Sequence, residues 1–407
     1  MVCWFRGLVW LLGASLAAQT VHTVGPGGFA QIHEAIAAAS PNDVIQVQAG
    51  TYEAFTLDKA LVITALPSPP GQIVQVINPS MFAADVTLFR PPIGTRAYVT
   101  NLHFRNMWFH YWSMDTSVER GTVCFEECTF EGNPGSRQPA LQVQDAEVQL
   151  RHCLVKAQPG PDCVNTGLTV TNGAAFLVDC VVQGASLTHK ASFSGGAAIT
   201  CTDSVLHLVA SDVAAGSSSG IACVSAYVGG HGVVVQGNSL VWIADCTIRG
   251  GNGYCAAGGD ALHNSSTVPV QLARTTLNAA PGNPPGLAVF GPAQQVSLLG
   301  LTGGTVGLAR GQTWSANYRT EPLWPVVVLL APEVLVASSP LVHERLLLPV
   351  PGAVALALLL ADGQGNAPLQ VPVPALASLL HQRAYVQAFS GLGLPVLTQP
   401  ALGGVIR

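Results

Sequence analysis

The sequence carries little charge. Only 10% of its 407 residues are Asp, Glu, Lys or Arg, against about 25% in an average globular domain. Lysine is the scarcest of these, with three residues, Lys59, Lys156 and Lys190. Because nucleic-acid binding needs clustered Lys or Arg to neutralise phosphates, the composition argues against a nucleic-acid partner. A formal net charge of -5 points to no other polyelectrolyte.

The sequence also lacks a hydrophobic run of about 18 residues, the length that a membrane-spanning helix needs. It begins with a shorter one, "MVCWFRGLVWLLGASLAAQT", in which Arg6 precedes an apolar stretch and small residues follow it. This order is typical of a secretory signal peptide. We therefore predict a signal peptide over 1–19, no membrane span, and an exported protein that is secreted or held at the cell surface.

Glycine and proline are abundant, with 43 and 28 residues, while 49% of the chain is hydrophobic. This combination indicates many short strands joined by turns rather than disorder. Six segments align without gaps, and their anchors lie 25 to 35 residues apart at Cys128, Cys153, Cys180, Ser211, Cys246 and Thr275. Leu102 and Leu301 fit as further anchors upstream and downstream.

The same residue types recur at fixed offsets from the anchors. Apolar residues stand three places before and two places after each anchor, and Asp or Asn stands eight places before it in four successive units, at Asp145, Asn172, Asp203 and Asn238. Asp and Asn at a fixed place predict a turn, because both tolerate left-handed backbone. A unit this short cannot bury its own apolar face, whereas stacked units can. The leucine spacing of a leucine-rich repeat is absent, so the pattern predicts a parallel β-helix with the anchors inside.

These repeats, together with "TVGPGGFAQIHEAIAAASPNDVIQVQAGTYE", resemble the pectin-lyase-like right-handed parallel β-helix superfamily. The resemblance covers about 20–310 and implies an all-β solenoid with an N-terminal capping helix at about 29–40. It implies an architecture more strongly than an activity, because the superfamily contains lyases, hydrolases, esterases and non-catalytic surface proteins. Strand-like runs separated by proline and glycine then predict a linker at 311–325 and a small β-sandwich-like module at 326–407.

The residues Gly25 to Ala30 also spell G-x-G-x-x-A, the turn that binds a dinucleotide. That site needs an acidic residue at the end of the next strand, where this chain has Gln48, Ala49 and Gly50. We therefore expect no cofactor, and we assign the glycines to the turn that leads into the capping helix.

Nine cysteines remain after export, so at least one is unpaired within the chain. Cys128, Cys153 and Cys180 are expected to stack as a buried ladder rather than to form disulfides, because side chains in register point in parallel. Cys223 and Cys255 lie in glycine-rich loops and are the disulfide candidate, which suits an oxidising compartment. No C-x-x-C pair occurs, so no metal site is predicted.

Two polar or aromatic groups are candidate sites. Glu127, His152 and Asp179 precede three successive anchors, so they are either a catalytic carboxylate–histidine row or a solvated turn. Trp108, Tyr111 and Trp112 either stack on sugar rings or pack over a loop.

Two functions therefore remain. The main hypothesis is a non-catalytic β-helix that binds a glycan or another partner or supports a structure, since no complete catalytic set appears. The alternative is a polysaccharide-active lyase or glycoside hydrolase acting on an acidic polysaccharide, with Ca²⁺ needed only in the lyase case. The sequence indicates no oligomeric state.

Overall fold

A computed structural model describes residues 19–69, 71–78, 87–106, 116–132, 138–159, 165–186, 194–218, 228–295, 300–302, 313–319, 325–331, 354–360, 362, 366–372, 383–390, 397–398 and 402–405. Up to residue 295 these residues form three parallel sheets, A, B and C. The chain visits the sheets in turn, and each strand pairs with its counterpart in the preceding and following coils. The predicted all-β parallel solenoid is therefore confirmed.

Sheet A has 11 strands in the described part of the chain: β1 (Val21–Val24), β2 (Val44–Val47), β5 (Val62–Ala65), β8 (Arg96–Thr100), β11 (Thr122–Glu126), β14 (Glu147–Arg151), β17 (Ala174–Val178), β20 (Val205–Val209), β23 (Leu240–Ala244), β26 (Val270–Ala273) and β29 (Ala293–Gln295). Sheet B has nine: β3 (Gly50–Glu53), β6 (Val74–Asn78), β9 (Leu102–Asn106), β12 (Thr129–Glu131), β15 (Leu154–Lys156), β18 (Val181–Gln183), β21 (Asp212–Ala214), β24 (Thr247–Arg249) and β27 (Thr276–Asn278). Sheet C also has nine: β4 (Thr56–Leu57), β7 (Thr87–Phe89), β10 (Thr116–Val118), β13 (Leu141–Gln144), β16 (Leu168–Thr171), β19 (Ile199–Thr202), β22 (Val233–Gln236), β25 (Leu262–Asn264) and β28 (Val289–Phe290).

The register of the strands reproduces the columns of the sequence repeat. Phe125, Leu150 and Leu177 pair in succession along sheet A, and Phe130, Val155 and Val182 do so along sheet B. All six side chains are buried. Because alternate residues of a strand face opposite sides, these columns become continuous ladders in the core, as the repeat predicts.

Helix α1 (Ile32–Ala38) lies within the predicted helical stretch 29–40. It buries Ile32, Ala35 and Ile36, and the side chain of Glu34 accepts the N–H of Gln31 at its start. At its other end Lys59 Nζ donates to three backbone carbonyls, those of Ile36, Ala37 and Ala39, at 2.8 to 3.1 Å. These carbonyls have no partner within the helix, so the lysine ties the helix to the first coils. Whether α1 serves as the cap of the solenoid stays a prediction.

Beyond the solenoid the described strands are antiparallel. They form a three-stranded and a five-stranded sheet, in which β37 pairs with β35. The strands are β30 (Gly300–Thr302), β31 (Thr313–Arg319), β32 (Pro325–Ala331), β33 (Val354–Leu360), β34 (Asn366–Pro372), β35 (Arg383–Ser390), β36 (Leu397–Thr398) and β37 (Leu402–Val405). Their packing as a β-sandwich stays a prediction. Among the described residues no helix combines the length and the apolar character that crossing a membrane would require.

Two details differ from the expected pattern. Leu301, predicted as a further solenoid anchor, pairs antiparallel with Tyr318 and so does not belong to a coil. The stretch 311–325, predicted as a linker, contains β31, which pairs along its whole length with β34. In that strand Trp314, Ala316 and Tyr318 alternate with polar residues, a period-two pattern that favours a strand.

Candidate functional site

The turn between sheets A and B holds a column of residues in left-handed backbone conformation. The column lies just before the anchors, and its φ angles run from 45° to 59° at Asn101, Glu127, His152, Asp179, Ala210, Asp245 and Arg274. Non-glycine residues rarely adopt this conformation. The same conformation recurs with side chains of different chemistry. The fold therefore repeats the backbone conformation of this turn and not one particular side chain.

The predicted catalytic candidates Glu127, His152 and Asp179 occupy three successive coils of this column. His152 Nδ1 lies 2.8 Å from Asp179 Oδ2, but the Asp179 side chain is 62% exposed. Glu127 forms no ion pair with any residue that the structure describes. The structure thus brings two of the three together at a solvent-exposed bend, and a catalytic role for the row stays a prediction.

Arg151, at the end of β14, is the buried cation beside this bend. Its guanidinium lies 3.9 Å from Glu126 Oε1, and the two side chains are each 18% exposed. Burial lowers the pKa of Arg151, while the carboxylates of Glu126, Glu127 and Asp179 act in the opposite direction. The guanidinium therefore lies beside the carboxylate of Glu126 and within electrostatic range of Glu127 and Asp179.

A groove of about 560 Å³ lies on the outer face of sheet A, with Glu126 in its wall. Its other lining residues are mostly apolar, amide or hydroxyl side chains: Gln19, Val44, Gln46, Val62, Thr64, Ala65, Leu66, Pro67, Ser68, Gln72, Ile73, Val74, Thr100 and Asn101. Thr100 Oγ1 donates to Thr64 Oγ1 at 2.8 Å across adjacent coils. The groove thus combines hydrogen-bonding groups with apolar surface.

Three parallel sheets wound by one repeating unit, in the register that the repeat predicts, decide the architecture. The chain folds as a parallel β-helix, the architecture that the resemblance to the pectin-lyase-like superfamily implies. No protein-family model matches the sequence, and no curated protein matches it either.

Solved β-helix structures show low overall similarity to the chain. The rice weevil pectin methyl esterase is 11% identical, with a TM-score of 0.31 over 61% of this chain and 78% of the esterase. A pectin methylesterase from Aspergillus niger in deglycosylated form is 16% identical, with a TM-score of 0.29 over 54% of this chain and 84% of that one. A mutant of the PL6-family alginate lyase AlyGC is 10% identical, with a TM-score of 0.31 over 68% of this chain and 37% of the lyase.

The inner cysteines of the β-helix form the expected ladder. Cys128, Cys153 and Cys180 are free thiols on successive coils and are at most 2% exposed. Burial raises the pKa of Cys128 and of Cys180, so these thiols stay protonated and act as small apolar side chains.

Most of the other predicted site residues lie in parts of the chain that the structure does not describe. Trp108, Tyr111, Trp112 and Cys223 lie outside the described residues. Cys255 is not among the free cysteines of the described part. The pairing of Cys223 with Cys255 and the sugar-stacking role of the aromatic residues therefore stay predictions.

A second cluster of titratable side chains lies where the chain enters sheet C. His231 precedes β22, Asp260 precedes β25 one coil later, and His263 lies within β25. Asp260 Oδ2 is 3.3 Å from His231 Nδ1 and 2.7 Å from His263 Nδ1. Burial lowers the pKa of His231, His263 adds to that lowering, and Asp260 opposes it. The sequence analysis missed this cluster.

The sequence does hold a signal for it. "GGH" at 229–231 and "GGD" at 258–260 occupy the same place in successive coils, and His263 pairs with Val234 of the preceding coil. An alignment anchored on the strand before the loop fails to show this, because the intervening loops differ in length. An alignment anchored on the paired glycines would have found it.

The glycines of this corner form a hydrogen-bonded backbone seam between the exit from sheet B and the entry to sheet C. Gly216 donates to Gly196, Gly230 to Gly216, Gly251 to Gly230 and Gly259 to Gly251, each at 2.8 to 3.0 Å. A Cβ on Gly216 would overlap the carbonyl oxygen of Ala185. We call these five residues, Gly196, Gly216, Gly230, Gly251 and Gly259, the glycine seam, and it fixes the backbone that carries His231 and Asp260.

Proposed function

We propose that this chain is an exported β-helix protein that binds a polysaccharide in the groove on sheet A. The observation that carries the proposal is the groove itself, which crosses several coils and is lined by both polar and apolar groups. Sugars present hydroxyl groups and C–H faces, so a lining of amides, hydroxyls and aliphatic side chains suits them. Parallel strands supply these groups at a regular spacing of about 4.8 Å, which favours an extended polymer over a small ligand.

The charge of the groove favours a neutral polysaccharide. Among the residues that the structure describes, its lining includes the carboxylate of Glu126 and no Lys or Arg. The guanidinium of Arg151 lies 3.9 Å from that carboxylate. A densely charged polyanion would have to bring its carboxylates towards Glu126 without a compensating cation in the groove. Neutral chains avoid this cost, because charge repulsion across a binding surface disfavours the wrong partner.

Binding can be measured by affinity electrophoresis or isothermal titration against a panel of neutral and uronate polysaccharides. Gln46→Ala removes an amide from the groove, and the loss of one hydrogen bond should weaken binding by roughly threefold to tenfold. Gln142→Ala is the matched control, because Gln142 lies on β13 of sheet C, away from the groove. Failure of every neutral polysaccharide to bind, or equal weakening by both variants, would contradict the proposal.

A second candidate function is lyase cleavage of a uronate polymer beside the groove, and the environment of Arg151 favours it. A lyase must remove the proton next to the uronate carboxyl group while the bond to the leaving sugar breaks. The positively charged guanidinium of Arg151, beside Glu126, would bind the uronate carboxyl group and stabilise the negative charge that develops there as the proton leaves. The surrounding carboxylates would bind Ca²⁺, which prefers oxygen ligands.

This second function predicts an unsaturated product, detected by its ultraviolet absorbance, from a uronate polymer in the presence of calcium. The product should disappear in Arg151→Lys and fall in Glu127→Ala, while thermal unfolding reports whether each variant remains folded. The absence of both unsaturated product and new reducing ends from every substrate would leave binding as the function.

A further inference from the structure

We propose that His231, Asp260 and His263 form a binding site for one divalent transition-metal ion of the zinc class. One ligand atom from each residue lies within 4.8 Å of the others. The site lies at the entry to sheet C, whereas the groove lies on sheet A, so this proposal does not depend on the proposed function.

The donor set suits this class of metal. Two imidazole nitrogens and one carboxylate oxygen are ligands that zinc and its neighbours accept, whereas calcium and magnesium prefer oxygen alone. With bonds of about 2.1 Å, neighbouring ligand atoms of a tetrahedral ion lie about 3.4 Å apart. The distances of 3.3 and 2.7 Å from Asp260 Oδ2 to the two Nδ1 atoms therefore need only a small expansion.

The surrounding contacts orient the three side chains. Asp260 Oδ1 accepts the backbone N–H of Leu287 at 2.7 Å, which leaves Oδ2 facing both imidazoles. The Asp260 side chain is 10% exposed. His263 stacks on Phe290 with ring centroids 4.4 Å apart and an interplanar angle of 4°. Contacts of this kind hold metal ligands in place and commonly change metal affinity tenfold or more when they are lost.

The proton positions also allow a metal at this point. His231 Nδ1 accepts the N–H of Asp260 at 3.0 Å, so its own proton stands on Nε2. A small rotation of that ring would turn the Nδ1 lone pair from the N–H to an ion. His263 would need the tautomer that carries its proton on Nε2, and both rings are partly exposed. The protein would then supply three ligands, and a fourth position would remain for water.

The test is a zinc titration of the full mature chain after removal of metals with a chelator, followed by isothermal calorimetry. We expect one zinc ion per chain. Cobalt in place of zinc should give the visible absorption of a low-coordinate site. Asp260→Asn keeps the shape of the side chain and an acceptor for Leu287 but removes the charged ligand, so it should weaken zinc binding at least tenfold.

Asp179→Asn is the matched control, because it alters another close histidine–aspartate pair, at the exposed turn, and should leave zinc binding unchanged. Circular dichroism and the unfolding midpoint show whether each variant is folded. If Asp260→Asn does not fold, His263→Gln provides the same comparison. Absence of stoichiometric zinc binding to the wild-type chain, or unchanged binding in a folded Asp260→Asn or His263→Gln variant, overturns the proposal.

Discussion

The exposed turn between sheets A and B and the corner before sheet C use the same residue types in different physical settings. At the turn, His152 and Asp179 meet beside solvent, and other coils place Ala210 or Arg274 in the same position. At the corner, Asp260 is largely buried, holds a backbone N–H, and contacts two histidines. The turn accepts many side chains because only its left-handed backbone conformation is constrained. At the corner, by contrast, the backbone and the side chains hold each other in place through hydrogen bonds.

The largest expected effect comes from the glycine seam at the corner. Gly216→Ala places a Cβ against the carbonyl group of Ala185, and neither backbone segment can move without breaking the seam. We expect a loss of about 3 kcal/mol or more in the free energy of unfolding, measured by denaturant titration.

Gly94→Ala is the control for that change. Gly94 has a φ of 80° but open space around its Cβ position, so alanine there suffers backbone strain alone, about 1–2 kcal/mol. A Gly216→Ala variant no less stable than Gly94→Ala would show that the corner is not tightly fixed.

The next effect compares the two aspartates in the absence of added metal. Asp260→Asn weakens a charge-assisted network with one backbone N–H and two imidazoles, so we expect a loss of about 1.5–3 kcal/mol in unfolding free energy. Asp179→Asn changes an exposed pair and should shift it by less than about 1 kcal/mol. Chemical unfolding at neutral pH measures both changes. Equal losses would mean that the two aspartates contribute equally to stability, despite their different burial.

A smaller effect is expected from the backbone of the turn. Ala210 has a φ of 49°, so Ala210→Gly should relieve left-handed strain and stabilise the protein by about 0.5–1 kcal/mol. Ala157→Gly is the control, because Ala157 is buried and does not have a positive φ; glycine should destabilise the protein there. If Ala210→Gly also destabilises it, the side chain of Ala210 matters more than the turn.

The contrast also explains what could be predicted from the sequence. The inward columns repeat with every coil, so Cys128, Cys153 and Cys180 reveal register, and the left-handed conformation of Asp145, Asn172 and Asp203 follows their predicted turn. In the next coil Gly237 takes that conformation instead of the predicted Asn238, because the coil is one residue longer there.

The corner site was missed for a related physical reason. Its residues come from loops, where length varies, and no single segment contains all three ligands. The turn candidates, in contrast, were found readily because they occupy a fixed column. A residue type that recurs at one position in every coil is required by the fold. The positions that stand out most clearly in the repeat are therefore poor indicators of a functional site.

The smallest expected effect is on the pH dependence of stability. Burial lowers the pKa of His231, with His263 adding to this and Asp260 opposing it. The folded state therefore binds this proton less readily than the unfolded state, whose histidine has a pKa of about 6.5.

Stability should fall as the pH drops below about 6.5 and stop falling once the folded-state pKa is passed. His231→Gln should remove this part of the dependence, measured as the unfolding midpoint between about pH 7 and pH 5 without metal. If the stability of His231→Gln falls by the same amount over this pH range, the effect belongs to other groups, and the corner and the turn do not differ in this respect.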